Sequence, residues 1–198
     1  MNARSFRMSK ILRSFGRDRR GASAIEFAIV APLMLALYVG VVEVSEGVAA
    51  DRKVTLTSGT LANITAQSQA LTSAAMTNIL NASIAIMTPY TGTISAKISC
   101  LKIDAGGVAK VAWGAANTGT TPHSVGEVIT IPADLAVPNS SVVYSEVSYL
   151  YIPVTGYVPG WSHISANGIT LSDRMFMSPR LTPPSYDDGG GGAVKTCT

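Results

Sequence analysis

The sequence predicts an α+β protein: a long N-terminal transmembrane helix continuing into a second helix, packed on a small antiparallel β-sheet. Three observations carry this. A run of 21 residues from Ala22 to Val42 holds a single charge, Glu26. The chain from Leu56 to Met87 keeps apolar residues at helical spacing among Thr, Ser, Asn and Gln. From Thr93 onward the texture changes to short runs rich in Val, Ile, Thr and Tyr, punctuated by Gly, Pro and Asn.

Charge sets the direction of the chain across a membrane. The net charge is +3 over 198 residues, but it is unevenly spread. Seven bases and one acid precede Gly21, a net +6, which leaves eight bases and eleven acids, a net −3. A basic leader ahead of an apolar run predicts a cytoplasmic N-terminus, with the remainder carried across by the positive-inside rule. Nucleic-acid binding is the rival reading of such a leader, and the membrane-length run that follows at once argues against it. The composition, 47% hydrophobic and 14% charged, suits one membrane segment and one modest domain rather than a large enzyme core.

The run from Ala22 to Val42 is long enough to span, because about 20 helical residues cross a hydrocarbon core of roughly 30 Å. Pro32 falls inside it and predicts a kink, tolerated where neighbours re-satisfy the freed carbonyl. Glu43, Glu46, Asp51, Arg52 and Lys53 mark the exit into water, and no later stretch is apolar for long enough to return. Leu56, Leu61, Ile64 and Leu71 suggest an amphipathic continuation of the same helix, weakened at Gly59. Thr72 or Ser73 caps a second helix with Met76, Ile79, Leu80, Ile84 and Met87 on one side, and Pro89 lies just past its end.

Beyond it, TISAKISCLKID, VAKVAW, EVITIPA, VVYSEVSYLYIPV and GITLSD read as strands of an antiparallel meander. Ile94, Ile98 and Cys100 share a face, which turns Cys100 inward. In the fourth run Val143, Val147 and Tyr149 oppose Val142, Tyr144 and Leu150, the pattern of a central strand covered on both faces, one of them by the helix. The organisation expected is a leader over 1–21, a transmembrane helix over 22–43 and an extramembrane helical segment over 44–88. A β-rich domain over 89–183 and a Gly-rich tail over 184–198 complete it.

The two cysteines, Cys100 and Cys197, lie too far apart in sequence for a paired metal-ligand motif. Outside the cytoplasm a disulfide between them is chemically permitted and would fasten the tail SYDDGGGGAVKTCT; the alternative is two free thiols, and sequence does not give connectivity. His123 and His163 have no neighbouring His, Cys or acid at ligand spacing and read as loop or surface residues, so no metal site, cofactor or catalytic residue is assigned. No G-x-S-x-G occurs, and Gly106-Gly107 and Gly189 to Gly192 read as turn and linker. Trp113, Trp161, Tyr144 and Tyr157 read as strand and turn packing rather than an adhesive aromatic surface.

One residue needs its own explanation. Glu26 sits a few positions into the apolar run, where an ionised side chain costs about 2.5 to 3.5 kcal/mol at mid-helix and less near an end. Arg19-Arg20-Gly21, then Ala22-Ser23-Ala24-Ile25-Glu26-Phe27, resembles a type IV prepilin. That resemblance implies cleavage after Gly21 by a membrane-embedded prepilin peptidase, making Ala22 the new N-terminus. A small residue at the cut fits a protease cleft, and the glycine leaves the scissile peptide unobstructed. The α-amine so created lies one helical turn from the Glu26 carboxylate, and the charge pair offsets part of the burial. In pilins the equivalent acid is associated with N-terminal methylation and subunit registration, which is what the resemblance implies for Glu26.

The stretch from Arg19 to Val54 narrows the resemblance further. Its R-R-G leader end, A-x-E-F-A core over Ala24 to Ala28, mid-span Pro32 and Leu33, and exit at Gly40 and Glu43 resemble the TadE-like family of tight-adherence (Flp-type) pilus pseudopilins. VSYLYIPVTG and ITLSDRMFMSPR resemble the tyrosine-rich strand and closing Pro-Arg segment of such proteins, through Tyr149, Tyr151, Pro153, Pro179 and Arg180. The resemblance implies a pilin-like fold and a minor, non-enzymatic pseudopilin of the bacterial inner membrane, single-pass, with its N-terminus cytoplasmic and its C-terminal domain periplasmic. Its implied partners are prepilin peptidase, other Flp pilins and pseudopilins, the inner-membrane assembly machinery and membrane lipid, with no nucleic acid. Two alternatives stand beside it. One is a secreted domain behind a signal peptide cut at Val48-Ala49-Ala50, which Glu43 and Glu46 make awkward. The other is a membrane-anchored periplasmic enzyme.

Overall fold

The structure is a computed structural model, and it describes residues 20–90, 92–153 and 168–197. The basic leader up to Arg19, and Tyr157, Trp161 and His163, lie outside the described residues. In chain order the elements are α1 (Arg20–Gln67), β1 (Ala70–Thr72), α2 (Ser73–Ile86), β2 (Ile94–Ile103), β3 (Ala109–Ala116), a 3-10 turn (Ala133–Leu135), β4 (Ser141–Tyr151), β5 (Ile169–Met177) and β6 (Ser185–Asp187). Helices and an antiparallel sheet share the chain, so the α+β class holds. The chain divides after Val44 into two units.

In the first unit α1 runs on through Pro32. Ile25, Phe27, Ile29, Leu33, Leu35 and Leu37 are all exposed, an apolar surface left uncovered among the described residues. Glu43, expected at the exit into water, is only 5% exposed. It is not without a partner, as the burial of a charged group requires.

In the second unit the face that α1 turns to the core differs from the expected one. Leu56 is 59% exposed and Ile64 37%, while Ala50, Val54, Thr57, Ser58, Leu61, Ala62, Thr65 and Ala66 are buried. This stripe keeps the helical period but is built of small residues, which let the helix backbone lie close against the sheet. Two of its three hydroxyls are hydrogen-bonded: Ser58 Oγ lies 3.1 Å from Ser145 Oγ of β4, which itself donates to the Ser58 carbonyl at 2.7 Å, and Thr57 Oγ1 donates to the Lys53 carbonyl at 2.7 Å, while Thr65 Oγ1 is buried with no partner among the described residues. Hydropathy alone missed the stripe because it scores Thr and Ser as outward.

The helix ends at Gln67, and Leu71, expected on it, is the middle residue of β1. That strand pairs in parallel with β6, Ala70 opposite Ser185 and Thr72 opposite Asp187. Thr72 then caps α2, its Oγ1 accepting the Ala75 amide at 3.2 Å. Met76, Leu80, Ser83 and Met87 face inward at helical spacing. Ser83 takes the place expected for Ile84 by donating its hydroxyl to the Leu80 carbonyl at 2.5 Å.

The sheet order is β3-β2-β4-β5, all antiparallel. It is not a meander, since β4 returns to the far side of β2. EVITIPA forms no sheet strand of its own: it makes one bridge, Lys110 to Val128, and Pro132, which has no amide to donate, leads into the 3-10 turn. Its remaining bonds still close the outer edge of β3, with the Val111 amide donating to the Glu127 carbonyl at 2.9 Å and the Gly126 amide to the Val111 carbonyl at 2.8 Å. The opposite edge, β5, is protected differently. Asp173 Oδ1 accepts the amide of Arg174 at 2.8 Å, so a charged pair blunts mid-strand a row that would otherwise template further pairing.

β4 is covered on both faces, as its two apolar parities predicted. Val143, Val147 and Tyr149 join the core under the helices, with Ile98, Cys100 and Trp113. Val142 and Tyr144 join a second core with Leu101, Ile103 and Val111, closed by Ile129, Ile131 and Phe176. Trp113 is fully buried, its indole N–H donating to the Pro184 carbonyl at 2.9 Å and its ring 5.3 Å from that of Tyr186. Beside this pair Cys100 and Cys197 form a disulfide with a Cα–Cα distance of 5.9 Å. The Gly-rich tail therefore carries a strand and a cross-link, and its conformation comes from what it pairs with.

Candidate functional site

The Gly21–Ala22 peptide lies at the start of the described part of α1. A Cβ placed on Gly21 would meet nothing within 4 Å. The fold therefore sets no demand for glycine there, and a helical glycine costs about 1 kcal/mol relative to alanine. Glu26 follows one turn after Ala22 on the same face. Its side chain is exposed among Ile25, Phe27 and Ile29. Within α1 the most apolar 18-residue window has no share buried in the chain, so these side chains meet whatever surrounds the helix.

The alternative cleavage point falls elsewhere in the same helix. Val48, Ala49 and Ala50 are helical, and Ala50 is fully buried in the first core. A cut there would sever α1 where it anchors the second unit.

A second cluster lies outside the helix, and sequence reading missed it. His123, expected in a loop or on the surface, lies in the loop after β3 with its side chain only 13% exposed. Its Nδ1 lies 3.0 Å from Glu127 Oε1 and its Nε2 3.2 Å from Glu146 Oε2. Glu127 was visible at four residues' spacing; Glu146 is 23 residues away and arrives only through the fold of β4. The His123 hydrogen bond and the Ser124 amide hold the Glu127 carboxyl below its usual range. Burial, reinforced by the Glu146 charge, pushes the Tyr144 hydroxyl up to about 12.

Gly114 on β3 is what lets His123 approach. A Cβ at that position would stand 2.7 Å from the His123 carbonyl oxygen and 3.2 Å from Ser99 Oγ. Gly114→Ala is expected to lower stability by about 1–3 kcal/mol through forced backbone movement, read as a fall in the denaturation midpoint. An unchanged midpoint would show that the approach is not tight.

Among the described residues no group of three His, Cys, Asp or Glu is placed to hold a metal ion. Each nitrogen of His123 instead faces one carboxylate.

No curated protein and no solved structure matches the chain. A family model does: the one described as TadE-like protein matches residues 21–57, beginning at Gly21 and taking in Glu26 and the whole apolar run. The apolar helix suggests a membrane anchor, and the match supports association with the tight-adherence pilus. Over residues 21–57 the chain is similar to the TadE-like family.

Proposed function

We propose that the protein is a minor pseudopilin of a tight-adherence (Flp-type) type IV pilus system, acting in pilus assembly and surface adherence. Prepilin peptidase removes the leader after Gly21, and Ala22 becomes the N-terminus. The mature chain sits in the inner membrane with its second unit in the periplasm. There it works with other Flp pilins and pseudopilins and with the inner-membrane assembly machinery, while its apolar helix meets first lipid and then the helices of neighbouring pilins.

The observation that carries this reading is the TadE-like match that begins at Gly21 and encloses the run Ala22 to Val42, in which Glu26 is the one charge. In lipid, an ionised Glu26 requires a partner. The amine created by cleavage at Ala22 supplies one within a helical turn, and a neighbouring subunit's amine supplies another on assembly. Intact mass and N-terminal sequencing of the protein from its host's membranes test the reading. A chain beginning at Ala22, with or without a methyl group, is expected. A chain beginning at Asp51 would mean a secreted soluble domain, and an intact Met1 a plain membrane anchor.

Glu26→Ala should leave membrane insertion intact, since it removes a charge from an apolar helix, and should reduce assembly. Breaking one half of a buried pair costs about 3–5 kcal/mol, because the amine is left uncompensated. Pilus yield from the variant, compared with the amount of variant chain in the membrane, measures this. Undiminished piliation would remove the electrostatic role.

A further inference from the structure

Both ring nitrogens of His123 lie within hydrogen-bond distance of a carboxylate, Glu127 at 3.0 Å and Glu146 at 3.2 Å. A neutral imidazole has one N–H, so in either tautomer its bare nitrogen would aim a lone pair at an anionic oxygen. Only the imidazolium donates to both. The groups that face it come from every neighbouring element. From β4 the Tyr144 ring stands 5.7 Å away, and its hydroxyl donates to Glu146 Oε2 at 3.4 Å. From β2 Lys97 Nζ is 4.0 Å from Glu146 Oε2, and from β5 Arg174 Nε is 3.9 Å from Glu146 Oε1. Glu146 thus shares its charge among three cations, and Glu127 pairs with His123 at the closer distance.

The position of His123 gives this protonation a consequence. It stands in the connector 117–140, which passes from β3 to β4. Three residues further on, the same connector closes the outer edge of β3 through the bonds at Val111 and Gly126 and that from the Ile129 amide to the Ala109 carbonyl at 3.1 Å. Ile129 and Ile131 then pack on the second core. The Ser124 amide donates to Glu127 Oε2 at 3.0 Å, so Glu127 ties the turn after His123 to the same point.

We propose that protonated His123 is a latch which pins the connector 117–140 to the sheet through Glu127 and Glu146, and that loss of the imidazole proton loosens the cover of β3 and of the second core. The latch holds while the imidazolium persists and is released when the ring gives up its proton. On the acid side it lasts until Glu127 takes up a proton, which its partners defer to below the ordinary carboxylate range. The latch belongs to the second unit alone and stands or falls independently of processing at Gly21.

Hydrogen exchange on the full chain in lipid nanodiscs tests it. Protection factors at Val111, Gly126 and Ile129, corrected for intrinsic exchange, are followed between about pH 5 and pH 8 with the His123 ring signals read by NMR. Protection at these three amides should fall about tenfold or more as the ring loses its proton, the loss of one charge-assisted hydrogen bond. The Arg180 amide, bonded to the Ala66 carbonyl outside the connector, serves as the reference that should not move. His123→Gln and Glu127→Gln should each abolish the pH dependence. A ring that is neutral across the whole range, protection that is flat with pH, or a pH dependence that survives in His123→Gln would each overturn the latch.

Discussion

Gly21→Phe is expected to leave an unprocessed precursor in the membrane, with cleavage slowed by about 10²-fold or more, the scale on which small misplacements of a scissile bond reduce catalysis. The same substitution should leave folding and insertion unchanged. A Cβ at position 21 meets nothing within 4 Å among the described residues, and phenylalanine is a better helix former than glycine by a few tenths of a kcal/mol. Under the proposed function the demand for glycine comes from a protease cleft, which must admit the backbone closely. Electrophoretic mobility and intact mass of the membrane-extracted chain read the outcome. Normal processing of the variant would move the cut away from Gly21, while a chain that fails to insert would mean that the residue serves the helix after all.

Replacing Cys100 and Cys197 together by alanine should lower the stability of the second unit by about 2–5 kcal/mol, and reduction of the wild-type chain should do the same. The bond closes a loop with a sequence separation of 97, so the entropy it removes from the unfolded chain is large. Alanine rather than serine is the informative substitution, because both sites are buried and a hydroxyl there would add a separate penalty. Loss should begin at the tail. The Tyr186 amide, which donates to the Lys195 carbonyl at 2.8 Å, is expected to lose exchange protection first, followed by the pairing of β6 with β1. Denaturant midpoints of the full chain, oxidised and reduced, measure the effect. Coincident transitions would show that β6 and the Trp113–Tyr186 contact hold the tail without the cross-link.

These two predictions draw on different parts of the sequence, and the difference tracks what local chemistry can express. The apolar run, the lone Glu26, the glycine at position 21 and the cap at Thr72 are each legible within a few residues. Bilayer thickness, the cost of a charge in hydrocarbon and the orphan amides of a helix start all act on neighbours in the chain. The strands β2 to β5 were readable for the same reason, and the two-faced burial of β4 could be seen in its doubled apolar parity.

What only the tertiary structure decided are the partnerships between residues far apart. β1 and β6 are three-residue strands with no period to read, and each exists because the other lies beside it. The sheet-facing stripe of α1 was hidden because Thr57, Ser58 and Thr65 are buried, and Ser58 goes inward on the strength of a hydroxyl on β4 87 residues away. EVITIPA has strand composition yet makes one bridge, since Pro132 interrupts it and the neighbour that β4 takes is β2. His123 became a half-buried side chain with a carboxylate at each ring nitrogen only when Glu146 was carried to it across the sheet. Sequence determined by itself the apolar run from Ala22 to Val42 and the single acid inside it, because those are properties of consecutive residues. Which polar groups could be buried was left to the fold, because the partner that satisfies a buried group such as Ser58 can lie far away in the sequence.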